Sequence, residues 1–255
     1  MFVDCIPLFA YNITLELASN DMRGVFMKQM VNLQMSIFGS FESIGADPTL
    51  VSELIPLYKN KFIPSIIQMA GIDPLNNTLK SINRLSMVSV DNKITIVFLP
   101  DRIDCNYSFG DTKADPSTLE ATLKDMCLLM ECTAEHFSII GNRIAINGRF
   151  VTDEISLKYS DYILERPFYE EAVPSEWSLN SNTVTNLNVL DSNEATNNIL
   201  NIALGKNAQD ELAIIISFDV NTVPSNTIMR FKKDAFPAFL EQVLCRLDSM
   251  LSGLR

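Results

Sequence analysis

Apolar residues recur at the spacing of an α-helix in three parts of the chain: residues 21–37, 117–136 and 234–252. Ser117 and Glu120 stand at the spacing of a capping box, which predicts where the second helix begins. We expect the third helix to pack its stripe into the main core. The apolar residues of that stripe are Phe236, Phe239, Leu240, Val243, Leu244, Leu247, Met250 and Leu251.

Residues 85–90 and 93–99 are two short apolar runs separated by Asp91–Asn92, a sequence typical of a tight turn. They predict a β-hairpin. In residues 102–109, polar and apolar positions alternate, which is the pattern of a strand with one face against the core.

A second hairpin is predicted from residues 137–140 and 143–151, which flank Gly141–Asn142. Residues 212–220 form an almost continuous apolar run, and such a run predicts a central strand. A further strand is predicted over residues 226–232, after a turn at a proline.

Two segments have the composition of connections. Residues 46–79 contain four prolines and predict short helices interrupted by turns. Residues 174–207 are rich in Asn, Ser and Thr and predict a long loop, with a short strand near 184–189 and a short helix near 199–204.

Strands that arrive as hairpins, with helices between the meanders, predict an α+β fold with a mostly antiparallel sheet over residues 1–255. The strands of 85–109 and those of 212–232 each lead into a helix, which is what a duplicated β-β-α unit with halves 1–136 and 137–255 would give. Short strand patterns also recur by chance, so an α+β unit without duplication explains them equally well.

The balance of charge is acidic, with a net charge of -11, and this disfavours binding to nucleic acid. The five cysteines show no ligand spacing, so we expect reduced thiols and neither a metal site nor a cofactor. The sequence has no apolar stretch long enough for a membrane span and no basic region before its apolar start, so we expect a cytoplasmic protein without a signal peptide.

One motif resembles a catalytic pattern. Asp101 follows a proline, and Asp111 and Lys113 come ten and twelve residues later, as in the PD-(D/E)xK pattern of Mg²⁺-dependent nucleases. In such a site the two acids would bind the metal and the lysine would orient water or phosphate. However, Asp111 and Lys113 lie among turn-forming residues, whereas the nuclease pattern requires them on a strand.

Aromatic and acidic residues are mixed near one of the predicted connections, and they are candidates for binding a partner. Aromatic side chains often anchor interfaces, although a helix end followed by a solvated loop would explain the same residues. The candidates are Phe168, Tyr169, Glu170, Glu171 and the single tryptophan, Trp177.

The chain has one histidine, His136, at the predicted end of the second helix, where an interaction with the helix dipole is its simplest role. With no catalytic constellation apart from the nuclease pattern, we expect a non-catalytic interaction or regulatory subunit that binds a protein partner or a second copy of itself. A nuclease that uses Asp101, Asp111 and Lys113 is the alternative, and a small-molecule sensor is a further one.

Overall fold

The computed structural model describes residues 29–73, 78–110, 116–152, 177–206 and 212–252. Within these ranges the chain forms nine strands and three helices. The strands are β1 (Gln29–Phe38), β2 (Phe62–Asp73), β3 (Thr78–Ser89), β4 (Ile94–Phe98), β5 (Arg102–Ser108), β6 (Arg143–Thr152), β7 (Trp177–Val189), β8 (Ser192–Lys206) and β9 (Leu212–Thr222). The helices are α1 (Pro48–Leu57), α2 (Pro116–His136) and α3 (Ala235–Ser252).

All nine strands belong to one sheet with the order β2-β3-β4-β5-β1-β6-β9-β8-β7, and every neighbouring pair is antiparallel. The meander β2 to β5 lies on one side of β1, and the meander β7 to β9 lies beyond β6 on the other side. The α+β fold with a mostly antiparallel sheet is therefore confirmed.

The predicted duplication of a β-β-α unit is not shown. Residues 226–232, the second strand of the proposed repeat, form only a single bridge, between Phe231 and Gly141. An arginine in this segment, Arg230, instead donates to the carbonyl oxygens of Asn142 and Ile228, which holds the backbone in an irregular conformation.

The helices begin and end where local chemistry satisfies their terminal backbone groups. The Asp47 side chain accepts hydrogen bonds from the amides of Thr49 and Leu50 at the start of α1. At the end of α2, Ser138 has a left-handed φ of 49°, and the amide of Ile139 donates to the carbonyl of Ala134. This is a Schellman motif, and it terminates the helix. None of the helices in the described ranges has the length and apolar character needed to cross a membrane.

The hydrophobic core lies between the sheet and the helices. Alternate residues of the strands point to this face, and the stripes of α2 and α3 cover them, as the predictions for residues 117–136 and 234–252 required. Gly148 of β6 leaves room for the Phe218 ring, because a Cβ atom there would lie 2.6 Å from the ring. The core includes Leu33, Met35, Ile37, Ile103, Ile146, Phe150, Phe218, Phe239, Val243 and Leu247.

The helix predicted over residues 21–37 is wrong for its described part, because β1 begins at Gln29. The cause is a β-bulge. Phe150 pairs with Met30, but the next residue of β6, Arg149, pairs with Asn32, so that Val31 is inserted. Met30 and Leu33 are therefore both buried although they are three residues apart, which is the spacing that a helix would also produce.

Three further predictions were wrong in type. Residues 137–140 form the turn that follows α2 and a short loop rather than a strand. Residues 62–73, expected to be turns and short helices, form β2, which tolerates Pro64 because it lies at the edge of the sheet. In the segment 174–207, residues 177–206 form the long hairpin β7–β8, and the helix predicted near 199–204 is part of β8.

Candidate interaction surface

Of the three residues of the nuclease hypothesis, the structure describes Asp101, so the hypothesis stays a prediction. Asp101 lies exposed in the turn between β4 and β5, where its carbonyl oxygen accepts a hydrogen bond from Gly39. Asp111 and Lys113 lie outside the described residues. Among the residues that are described, no group of three or more His, Cys, Asp and Glu side chains could hold a metal ion.

Of the predicted partner-binding residues, only Trp177 is described; Phe168, Tyr169, Glu170 and Glu171 lie outside. Trp177 is the first residue of β7, pairs with Leu204 and packs half-buried against the core. It anchors the beginning of β7 to the helix-covered face of the sheet. His136 lies at the end of α2 with its Nε2 atom 3.5 Å from Glu53 of α1 and its ring against Phe137.

The second face of the sheet, on which no described helix packs, has a polar centre. Ser36 of β1 donates to Asp104 of β5 across 2.6 Å, and Arg102 Nε donates to the other oxygen of the same carboxylate across 2.8 Å. Asp104 is buried and Arg102 is partly exposed. This network fixes the positions of β1 and β5 relative to each other, because a buried carboxylate must keep its partners.

An arginine beside this network lacks a partner for one nitrogen. Arg143 of β6 stacks on the Phe38 ring, with its guanidinium carbon 4.4 Å from the ring centre. Its Nε atom and Asp219 Oδ1 are buried atoms without a hydrogen-bond partner. Burial, and to a lesser degree the neighbouring Arg102, lower the pKa of Arg143, whereas Asp219 acts in the opposite direction.

Amide side chains continue the polar surface toward β7. Asn147 donates to Gln34 across 3.0 Å. Asn197 of β8 donates to Asn221 of β9, and Asn182 of β7 donates to Asn197 across 3.4 Å. The surface is therefore hydrogen-bonded, and from β8 out to the edge of the sheet it carries no charged side chain.

The hairpin β7–β8 is held in place by an ion pair at its turn end. Arg230 binds Glu194 of β8 through two parallel hydrogen bonds of 2.8 and 2.7 Å, and Ser192 also donates to this carboxylate. These hydrogen bonds, that from Arg230 above all, lower the pKa of Glu194. Both side chains are mostly buried. The ion pair therefore holds the turn end of the hairpin against the segment that contains Arg230.

The outer edge of β7 pairs with no described strand. Its 13 residues, WSLNSNTVTNLNV, contain no charged residue and no proline, and its register with β8 is uninterrupted by a bulge. Edge strands usually carry at least one of these features, because an unprotected edge adds strands of other chains. The opposite edge, β2, contains Pro64 and ends in Asp73.

A sequence signal for this surface exists but is weak. Apolar and polar residues alternate at the two ends of β7, but the alternation that identifies strands is lost in its polar middle, residues 181–185. Comparison of the chain with protein-family models gave no match, and comparison with curated proteins gave none either.

Proposed function

We propose that this chain is a non-catalytic interaction module that binds a protein partner by adding a strand of the partner to β7. The observation that carries the proposal is the long, uncharged, proline-free and bulge-free edge of β7. In strand addition, main-chain hydrogen bonds supply the affinity and alternate side chains supply the specificity.

The orientation of the β7 backbone supports this role. The backbone amide of Val223 donates to the carbonyl oxygen of Ala195, so odd-numbered residues of β8 direct their backbone groups toward β9 and even-numbered ones toward β7. Thr183 pairs with Asn198, and its N–H and C=O groups therefore point into the sheet. Since backbone groups alternate along an antiparallel strand, the even-numbered residues of β7 direct their N–H and C=O groups outward. A partner strand would satisfy these groups in the way that β8 satisfies the others.

The surface on either side of the edge also suits a protein. Val184, near the middle of β7, is 60% exposed, and amide side chains surround it on the same face. An apolar contact flanked by hydrogen-bonding groups is the usual composition of a protein interface.

The experiment compares two matched variants. Val184→Lys places a charge on the β7 edge, and Ile63→Lys places the same charge on the β2 edge, at a side chain that is 57% exposed. Both are used, with the wild-type chain, to capture proteins from an extract of the native host. We expect a captured protein to be lost from Val184→Lys and retained by Ile63→Lys.

Hydrogen exchange supplies the direct measurement. When the captured protein is added in purified form, the amides of the even-numbered residues of β7 should become protected, whereas those of β2 should not change. Equal capture by the wild type and Val184→Lys, or protection confined to another part of the chain, would show the proposal to be wrong.

A further inference from the structure

We infer that β7 of a second copy of this chain can occupy the β7 edge, so that two sheets join in antiparallel register about a twofold axis at Thr183. The inference rests on the proposed function, because it names the partner of the same edge. It would create one continuous sheet from the two nine-stranded sheets.

Charge favours a second copy at this edge. Across a twofold axis each surface faces itself, so every charged residue near the axis meets a like charge. The chain carries a net charge of -11, yet none of the 13 residues of β7 is charged. The pairing therefore brings the two molecules together along a long strand edge that carries no charge.

The sequence of β7 is also complementary to itself. With Thr183 opposite Thr183 of the second copy, Leu179 faces Leu187, Ser181 faces Thr185 and Asn180 faces Asn186. Apolar residues thus meet apolar residues and polar residues meet polar ones at every pair except that of Val184 with Asn182. Because paired residues in this register lie an even number of positions apart, the side chains that meet also lie on the same face of the joined sheet.

The same register pairs the outward backbone groups. The even-numbered residues, which direct their N–H and C=O groups away from β8, face one another as hydrogen-bonded pairs, giving about twelve backbone hydrogen bonds. The exposed Val184 side chain comes opposite Asn182, with the second Val184 as its diagonal neighbour. Contact of the two valines removes exposed apolar surface from water.

The β2 edge is a poorer site for this pairing. Pro64 lies within it and has no N–H group to donate. A contact between β2 and β7 would moreover be heterologous, and it would need a rotation that closes a ring to avoid open filaments. The twofold pairing of β7 requires neither condition.

The first test measures the molecular mass by sedimentation equilibrium over a range of concentrations. We expect a monomer–dimer equilibrium in the wild type, at least a tenfold weaker dimer in Val184→Lys and an unchanged dimer in Ile63→Lys. A wild type that stays monomeric, or a dimer lost in Ile63→Lys but kept in Val184→Lys, would overturn the inference.

The second test fixes the register by disulfide formation. In a background with the exposed Cys245 replaced by Ser, Thr183→Cys should form a covalent dimer on mild oxidation, since residue 183 faces itself as a non-hydrogen-bonded pair about 4.5 Å apart between Cα atoms. Thr185→Cys should form much less, because it faces Ser181. Stronger crosslinking of Thr185→Cys would overturn the register.

These outcomes are distinguishable from failure of the proposed function. A monomeric chain that still loses a different protein partner through Val184→Lys would refute the second copy and support strand addition. A chain in which Val184→Lys affects neither self-association nor capture would refute both.

Discussion

The hairpins β2–β3 and β7–β8 form the two ends of the same sheet, but they are stabilised differently. At the first end, α1 covers the beginning of β2, where Tyr58 and Phe62 place their ring centres 5.1 Å apart, and Pro64 protects the edge. At the second end, most of β7 has exposed side chains and its edge carries none of the usual protective residues. The two edges therefore differ in their protection, since β2 contains a proline and β7 contains neither a proline nor a charge.

The two ends also differ in how each buried arginine is satisfied. Arg84 of β3 donates to the carbonyl oxygens of Phe98 and Phe41. Arg230 binds the carboxylate of Glu194 instead. A carbonyl left without its donor loses a hydrogen bond, whereas a buried carboxylate left without its cation keeps an uncompensated charge. The β7–β8 end should therefore be the more sensitive to loss of its arginine.

The largest effect is expected from Arg230→Met, which leaves Glu194 buried and unpaired. We expect a loss of about 3–5 kcal/mol in the free energy of unfolding, measured by denaturant titration. The double variant Glu194→Met/Arg230→Met should recover most of that loss, since no buried charge remains. A single variant as stable as the wild type would contradict the proposed difference between the ends.

The second prediction concerns the helices that cover the two ends. Leu247 of α3 and Leu54 of α1 are both buried, and replacing either by Ala should cost about 2–5 kcal/mol of unfolding free energy. If both helices are integral to the core, the two losses should be similar. A melting temperature of Leu54→Ala equal to that of the wild type would show that α1 does not contribute to the stability of the core.

A smaller loss is expected from Arg84→Met, about 1–3 kcal/mol, because it removes hydrogen bonds to carbonyl groups without leaving a charge. The same denaturant titration measures it beside Arg230→Met. A loss larger than that of Arg230→Met would reverse the ranking of the two ends.

The smallest effect is a dependence on pH. The pKa of Glu194 is lower in the folded chain than in the unfolded one, mainly because Arg230 donates to its charged form. Its contribution is therefore fully present above the usual range of a glutamate pKa and is lost as the pH falls through the lowered value. The stability of Glu194→Gln, measured from pH 7 to pH 3, should fall less steeply than that of the wild type; parallel curves would disprove this contribution.

Where sequence patterns were strong and local, they predicted the structure. The apolar periodicity of residues 117–136 and the stripe of Phe239, Val243 and Leu247 identified α2 and α3, because helix periodicity acts within a few residues. The capping box did not give the first residue of α2, which begins at Pro116 and not after Ser117. The hairpin of β3 and β4 was predicted from its turn for the same reason. The candidate site was harder to predict from the sequence. Of the residues proposed to bind a partner, Trp177 is described, and it lies partly in the core.

What the sequence determined by itself was the class of fold, α+β with an antiparallel sheet, together with the two long helices and the hairpin of β3 and β4. Only the tertiary structure decided the rest. The bulge at Val31 gave β1 the spacing of a helix, and the pairing of β7 with β8 made strands of a segment whose alternation is interrupted by polar residues at 181–185. The physical reason is that strand pairing satisfies backbone groups between distant segments, so the identity of an edge depends on neighbours that local patterns do not record.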